Sequence, residues 1–150
     1  ERRVSPGASE RFGILLHALL EKRTEGSEGE RWWIDMGFDD AEYRRVLPVA
    51  ERLLTSPALQ RFFSPARYRR AWNELELTSG DGGLQRLDRL VELDDGFWVL
   101  DYKSSGGDTA RLADYRAQVA GYCRAVAGVF PERAVRGALI FADGSVVEVD

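Results

Sequence analysis

The sequence has few of the residues and motifs that build redox, nucleotide-binding or membrane-spanning structures. It contains one cysteine, Cys123, which excludes an internal disulfide and a four-cysteine zinc or iron–sulfur site. It has neither the G-x-x-x-x-G-K-[ST] phosphate loop nor a G-x-G-x-x-G motif. No apolar run approaches the roughly 18 residues of a membrane-spanning helix. These absences favour a protein of a reducing, cytoplasmic compartment that uses no nucleotide cofactor and has no membrane partner.

Lysine and histidine are also scarce. Of the 21 basic residues only Lys22 and Lys103 are lysines, and His17 is the single histidine. The net charge of −4 argues against a protein that simply coats nucleic acid. Residues 41–90 nevertheless carry a small basic excess. Within them the run 61–70 has four arginines, no acid and interleaved aromatics, a composition that suits a phosphate backbone or an ordinary solvated helix end.

The length and composition predict one folded domain. The chain has 150 residues, 44% of them apolar and 31% charged, which is enough for a single hydrophobic core and excludes a disordered chain. Ser9 is expected to cap a first helix that runs through Glu21. A polar loop is predicted over residues 24–31. A second helix is predicted over 40–54 with a bend at its proline, and a short helix over 56–63.

Strand patterns follow from residue 71 onward. The predicted strands are 71–78, 84–93, 97–103, 134–142 and 146–149. Residues 94–96 read as a tight hairpin between the second and third strands, and 104–108 as a loop. Helical spacing of apolar residues is strongest over 109–129. This order predicts an α/β fold with a central mixed sheet, made of a β-meander, a long helix and a further strand, and flanked by helices.

Two carboxylates are expected to lie side by side on this sheet. Side chains alternate along a strand, so Asp101 and Lys103 share one face. A tight hairpin brings Asp88 opposite Tyr102 to within one residue, and therefore beside Asp101. Neighbouring carboxylates repel unless a cation lies between them, and Mg²⁺ prefers oxygen ligands. A lysine beside them can orient water or stabilise charge on a phosphate, which points to metal-assisted phosphodiester hydrolysis.

Asp88, followed after a hairpin by Asp101-Tyr102-Lys103, resembles the PD-(D/E)XK nuclease signature. The closer resemblance is to the RecB-type nuclease domain at the C-terminus of RecB- and AddA-like helicase–nucleases. Three further segments match that family: Gly13-x-x-x-His17-x-x-Leu20-Glu21, Leu87-Asp88-Arg89-Leu90, and Tyr115-x-x-Gln118-x-x-x-Tyr122. Each element is weak alone, but their shared order across residues 12–142 is specific.

The resemblance implies a restriction-endonuclease-like core and a set of site residues. The implied ligands of Mg²⁺ or Mn²⁺ are His17, Asp88, Asp101 and the backbone carbonyl of Tyr102. Lys103 becomes the catalytic lysine. Glu74 stands where the family has an additional acidic catalytic residue, and Glu76 is an alternative on the same face. The residues implied to hold DNA or support the site are Tyr115, Gln118 and Tyr122. Gln85 departs from the family, which often has glycine there.

Each of these residues also has a structural interpretation. His17 alone would fit a satisfied core histidine, and an Asp-x-Lys pair alone would fit a surface ion pair. The tyrosines of the long helix can pack in the core as well as serve a site. Cys123 is expected to be a small apolar filler.

The resemblance implies a metal-dependent deoxyribonuclease of exonuclease type that acts in DNA recombination or repair. Its expected substrate is single-stranded DNA, delivered by a helicase motor in the same full-length chain with a possible second subunit. Residues 1–150 would then be a single nuclease domain cut from a longer protein. A catalytically silent DNA-binding or assembly domain of the same fold is the alternative, and a phosphatase acting on small substrates is a third, weaker reading.

Overall fold

The computed structural model describes residues 7–105 and 108–150. The two glycines at 106 and 107, inside the loop predicted at 104–108, lie outside the described residues. The chain divides into two compact units, Glu1–Thr55 and Ser56–Asp150, and each is described by itself. No described helix is both long and apolar enough to cross a membrane.

The first unit consists of helices α1 (Ala8–Glu25), α2 (Trp32–Asp35) and α3 (Asp40–Thr55). The prediction that Ser9 caps α1 is wrong. The Arg11 amide donates to the Gly7 carbonyl over 2.9 Å, so Gly7 is the cap and Ser9 lies in the first turn. The helix also continues past Glu21 into the predicted loop and ends at Gly26, whose φ of 67° suits a left-handed cap.

Side chains join α1 and α2 to α3 inside this unit. The Arg11 guanidinium donates two hydrogen bonds of 2.7 and 2.9 Å to the Glu42 carboxylate. The Trp33 ring stacks on the Tyr43 ring with centroids 3.6 Å apart. Helix α2 was not predicted, because four residues are too few to show a helical period. Helix α3 contains Pro48, where the bend was predicted.

The second unit contains a mixed five-stranded sheet. Its elements are a 3-10 helix (Pro57–Leu59), α4 (Gln60–Phe63), β1 (Arg70–Thr78), β2 (Leu84–Leu93), β3 (Gly96–Lys103), α5 (Thr109–Val129), β4 (Val135–Phe141) and β5 (Val146–Val149). The strand order is β1-β2-β3-β4-β5. All neighbours are antiparallel except β3 and β4, which are parallel and joined through α5. The predicted α/β fold with a central mixed sheet is confirmed.

The β2–β3 hairpin differs from its prediction by one residue. Leu93 pairs with Gly96, so the turn holds two residues and β3 begins at Gly96. Glycine is required there, because φ is 144° and a Cβ would collide with the Ala134 carbonyl oxygen. The register runs from this pair to Arg89–Leu100. Continued by one residue, it sets Asp88 opposite Asp101 rather than Tyr102.

The core of the second unit lies between α5 and the sheet. Its fully buried members include Leu90, Val99, Val119, Val126 and Leu139. Burying each such side chain contributes roughly 1.5–3 kcal/mol. Helix α5 approaches β4 closely at Gly137, where a Cβ would collide with Val119. Strand β3 is buried from Gly96 through Asp101, so its polar end emerges directly from the core.

Candidate active site

Asp101 and Lys103 lie at the carboxyl end of β3. Asp101 is 4% exposed, and its Oδ2 atom is 3.0 Å from the Lys103 Nζ atom. The pair therefore shares one face, as strand alternation predicts. Because Asp101 is buried, this is not a surface ion pair. Burying such charges at the end of an apolar strand is costly unless they are well paired.

Asp88 lies beside this pair on β2. Its Oδ2 atom accepts a hydrogen bond of 2.8 Å from the Tyr102 main-chain amide. Burial, followed by the negative charge of Asp101, raises the pKa of Asp88 to about 8, although the Tyr102 amide opposes the shift. Two carboxyl groups therefore share a poorly solvated space and cannot both ionise without cost. Their oxygen donors fit a hard divalent cation, which would remove that repulsion.

Helix α5 brings the predicted supporting residues to the same place. The Gln118 Oε1 atom accepts a hydrogen bond of 3.3 Å from the Lys103 Nζ atom. The same ammonium lies 4.5 Å from the centroid of the Tyr115 ring. The pKa of Tyr122 is raised by burial and by the charges of Asp101 and Asp88, so its hydroxyl also lies near the carboxylates. Gln118 and Tyr115 thus contact Lys103, and Tyr122 lies near the carboxylate pair.

Glu74 lies on β1 at the position across from Asp88. The pairs Asn73–Arg89 and Leu75–Leu87 bracket a position at which Glu74 lies across from Asp88. Its φ of 50° is in the left-handed region, which is uncommon for a residue other than glycine. Such conformations cluster at functional sites.

The alternative to Glu74 lies further along β1. Glu76 is exposed and pairs with Arg86, two residues away from the Asp88 position. The Glu74 carboxylate forms an ion pair with Arg86. Of the two acids, Glu74 is the one in register with Asp88.

Two other sequence-derived residues, His17 and Cys123, have surroundings of their own. His17 is half-buried in α1, in the first unit, and its role as a metal ligand stays a prediction. Cys123 is buried on α5, and burial raises the pKa of its thiol to about 11. It is therefore a protonated apolar filler at neutral pH, in line with its interpretation from the sequence.

Sequence reasoning assigned no role to Arg89. Its side chain is only 2% exposed, although the residue is charged and stands in the middle of β2. An arginine between leucines in a predicted central strand was the signal that could have identified it, since an arginine is almost never fully buried without a partner.

Three comparisons with known proteins show what this chain is similar to. A stretch of 60 residues is 43% identical to an ATP-dependent helicase/nuclease subunit from Moorella thermoacetica, covering 40% of this chain and 4% of that protein. The chain therefore matches only a small part of that relative's length.

The fold also has a solved counterpart. The crystal structure of a candidate exonuclease from Eubacterium rectale superposes on the whole chain with a TM-score of 0.64, at 15% identity and over 61% of that protein. At this identity the likeness shows the fold alone. The family model of the PD-(D/E)XK nuclease superfamily matches residues 2–147. Because this match spans nearly the whole sequence, the chain belongs to the PD-(D/E)XK nuclease superfamily.

Proposed function

We propose that this chain is a nuclease domain that hydrolyses phosphodiester bonds of DNA with the help of bound Mg²⁺ or Mn²⁺. The observation that carries the proposal is the proximity of Asp88, in the middle of β2, to Asp101 and Lys103 at the end of β3. Burial, followed by the negative charge of Asp101, raises the pKa of Asp88 to about 8, and such a carboxylate pair calls for a cation between its members.

The metal ligands in this proposal are Asp88, Asp101 and the main-chain carbonyl of Tyr102. His17 completes the set on the resemblance of its α1 motif to the family. A bound divalent cation supplies Lewis acidity toward a phosphate oxygen and lowers the pKa of a water molecule. Glu74, in register with Asp88, is the additional acidic residue that orients water at the site.

Lys103 provides the positive charge next to the reacting phosphate. Asp101 at 3.0 Å and Gln118 at 3.3 Å fix the direction of its ammonium group. A compact ammonium stabilises the negative charge that develops on the phosphate oxygens and holds the attacking water. The planar guanidinium of arginine has a different shape and reach, which is consistent with a lysine at this position in a chain that otherwise uses arginine.

The substrate in this proposal is single-stranded DNA in the cytoplasm. Support comes from the relative named as part of a helicase/nuclease, because a helicase motor delivers unwound strands. We infer that residues 1–150 form one nuclease domain of exonuclease type, linked to such a motor and a possible second subunit, in DNA recombination or repair. Arg67 is exposed and can contact the phosphate backbone, whereas Arg69 and Arg70 form ion pairs with Asp94 and Glu92.

End-labelled single- and double-stranded DNA, incubated with Mg²⁺ or Mn²⁺, tests the proposal. We expect the wild type to release labelled products. The cleavage rates of Asp101→Asn and Lys103→Met should be at least 10²-fold lower. Asp94→Asn is the matched control, because Asp94 is an exposed β2–β3 turn residue paired with Arg69 at 2.8 Å. Equal cleavage by all four proteins would contradict the assigned site. DNA binding without cleavage, together with no Mn²⁺ binding, would favour the silent DNA-binding domain instead.

A further inference from the structure

Arg89 is a fully buried cation on the strand that carries Asp88. Its Nε atom donates to the Phe62 carbonyl over 3.1 Å, and its Nη1 atom donates to the Asn73 Oδ1 atom over 2.9 Å. The guanidinium carbon lies 5.7 Å from the Phe63 ring centroid and 5.5 Å from that of Tyr68. A charge this deeply buried needs such contacts to offset its desolvation.

Within the part of the chain that the structure describes, Arg89 is buried without the acidic partner that a buried arginine usually has. Among the described residues, no carboxylate forms an ion pair with it, and its Nη2 atom has no hydrogen-bond partner. Burying a cation against neutral acceptors and aromatic rings gains less than burying an ion pair. Stability alone therefore gives a weak reason for an arginine here, since an apolar side chain of similar volume would pack between Phe63 and Tyr68 without the desolvation cost.

The Arg89 side chain cannot reach the substrate. Neighbouring residues on a strand point to opposite faces, so Arg89 points away from the α5 face on which Asp88 and Asp101 meet. Its contacts lie with α4 and β1 on the other face, and it is 2% exposed. Any effect on the reaction must act through the main chain of β2.

The strand pairing shows how this effect arises. Arg89 is paired on both sides, with Asn73 of β1 and with Leu100 of β3. On the β1 side, the next pair after Asn73–Arg89 is Leu75–Leu87, so the pairing skips Glu74, whose φ is 50°. On the β3 side, the pairing ends at Arg89. Asp88 immediately precedes Arg89, the first residue of β2 in chain order that pairs with both neighbouring strands.

We propose that Arg89 is a positioning residue for the metal site: by hydrogen-bonding the end of α4 and Asn73, it fixes the β2 main chain so that the Asp88 carboxylate stays against the Tyr102 amide and beside Asp101. This inference rests on the proposed function, since it concerns the geometry of the proposed ligands. It requires no contact between Arg89 and DNA or metal.

Mn²⁺ titration calorimetry of the whole chain, without DNA, tests the inference. We expect Arg89→Met to weaken Mn²⁺ binding by about 10–100-fold, the usual effect of removing a group that orients a metal ligand. Arg89→Lys keeps the charge but cannot reach both acceptors, so it should weaken binding as well. Asn73→Ala leaves Arg89 in place and should give a smaller loss of affinity, which keeps the test valid if Arg89→Met fails to fold.

Arg133→Met is the matched control. Arg133 also donates to a main-chain carbonyl of β2, that of Leu93 at 2.8 Å, and lies 5.7 Å from the Phe97 ring centroid. It acts at the hairpin end of β2, far along the strand from Asp88, so its loss should lower stability but leave the Mn²⁺ affinity within about twofold. Hydrogen exchange of the Tyr102 amide in EDTA gives a second, metal-free readout, and it should be faster in Arg89→Met than in Arg133→Met at equal stability.

Asp88→Asn separates failure of the inference from failure of the proposed site. If this variant loses Mn²⁺ binding while Arg89→Met, Arg89→Lys and Asn73→Ala bind as the wild type does, the positioning role is overturned and the metal site stands. If Asp88→Asn itself binds Mn²⁺ with unchanged affinity, the proposed metal site is wrong, and the role of Arg89 falls with it.

Discussion

The Tyr102 main-chain amide, at the end of β3, donates a hydrogen bond of 2.8 Å to the Asp88 carboxylate in the middle of β2. This bond joins the two strands just beyond their last regular pair, Arg89–Leu100. It also directs the Asp88 carboxylate toward Asp101; burial, followed by the charge of Asp101, raises the pKa of Asp88. A main-chain contact thus holds together two carboxyl groups that repel one another.

Removing the Asp88 charge should stabilise the metal-free protein at alkaline pH. The pKa of Asp88 is raised from 3.8 to about 8, so the folded state holds this proton more tightly than the unfolded state. The protonated Asp88 carboxyl group therefore contributes to folding stability at low pH, and this contribution is lost as the pH rises from about 4 to about 8. In EDTA at pH 9, Asp88→Asn should gain about 1–3 kcal/mol in the free energy of unfolding, measured by urea denaturation.

The control for this prediction is Asp94→Asn, which alters an exposed carboxylate. Its effect should stay within about 0.5 kcal/mol at every pH. An Asp88→Asn variant that is less stable than the wild type at pH 9, or whose advantage does not shrink between pH 9 and pH 5, would contradict the described environment of Asp88.

Lys103→Met should abolish cleavage but retain the metal. The ammonium is not a metal ligand in the proposal, so Mn²⁺ affinity should change by less than about threefold while kcat falls at least 10²-fold. Lys103→Arg should be nearly as inactive. Lys22→Met, which changes the only other lysine, should leave kcat unaltered. Loss of metal binding in Lys103→Met would mean that this side chain organises the ligands instead.

Gly137 should not tolerate a methyl group. A Cβ there would collide with Val119 and lie 3.0 Å from the Cys123 sulfur, so Gly137→Ala must push α5 away from β4. We expect a loss of about 1–3 kcal/mol in the free energy of unfolding. Gly128 lies on α5 with open space around it, so Gly128→Ala should raise the free energy of unfolding by up to about 1 kcal/mol. Equal stability of the two variants would contradict the close approach of α5 to β4.

The Arg11–Glu42 ion pair should make the first unit sensitive to acid. The hydrogen bonds from Arg11 lower the pKa of Glu42 from 4.5 to about 2. The stabilisation is therefore present above about pH 4.5 and is lost as the pH falls toward 2. Glu42→Gln should flatten the decline in thermal midpoint over this window, measured by circular dichroism. Glu51→Gln is the comparison. The Glu51 carboxylate is 3.9 Å from the Arg23 guanidinium, a longer and weaker ion pair, so this substitution should change the decline little.

Much of this fold could be predicted from local patterns. Strands β2 and β5 and helix α5 have the bounds that their sequence patterns predict. The hairpin register was off by one residue. Gly96 looked like a turn residue, but its missing side chain serves a close approach to Ala134 within a strand, which a single hairpin sequence cannot reveal.

The candidate site was predictable only in part. Alternation along a strand brought Asp101 and Lys103 together, and hairpin pairing added Asp88 to within one residue. The left-handed backbone of Glu74 and the burial of Arg89 depend on how β1 and α4 pack against β2. Such contacts join segments far apart in the chain, and no local period records them.

Release of labelled nucleotides from end-labelled single-stranded DNA is the most direct test of the central claim. The account predicts that the wild type degrades this DNA in Mg²⁺, stops on addition of EDTA, and resumes when Mn²⁺ is added in excess. It predicts that Asp101→Asn, folded and equally concentrated, releases at least 10²-fold less product under the same conditions. Cleavage that persists in EDTA, or that Asp101→Asn performs at the wild-type rate, would contradict the account.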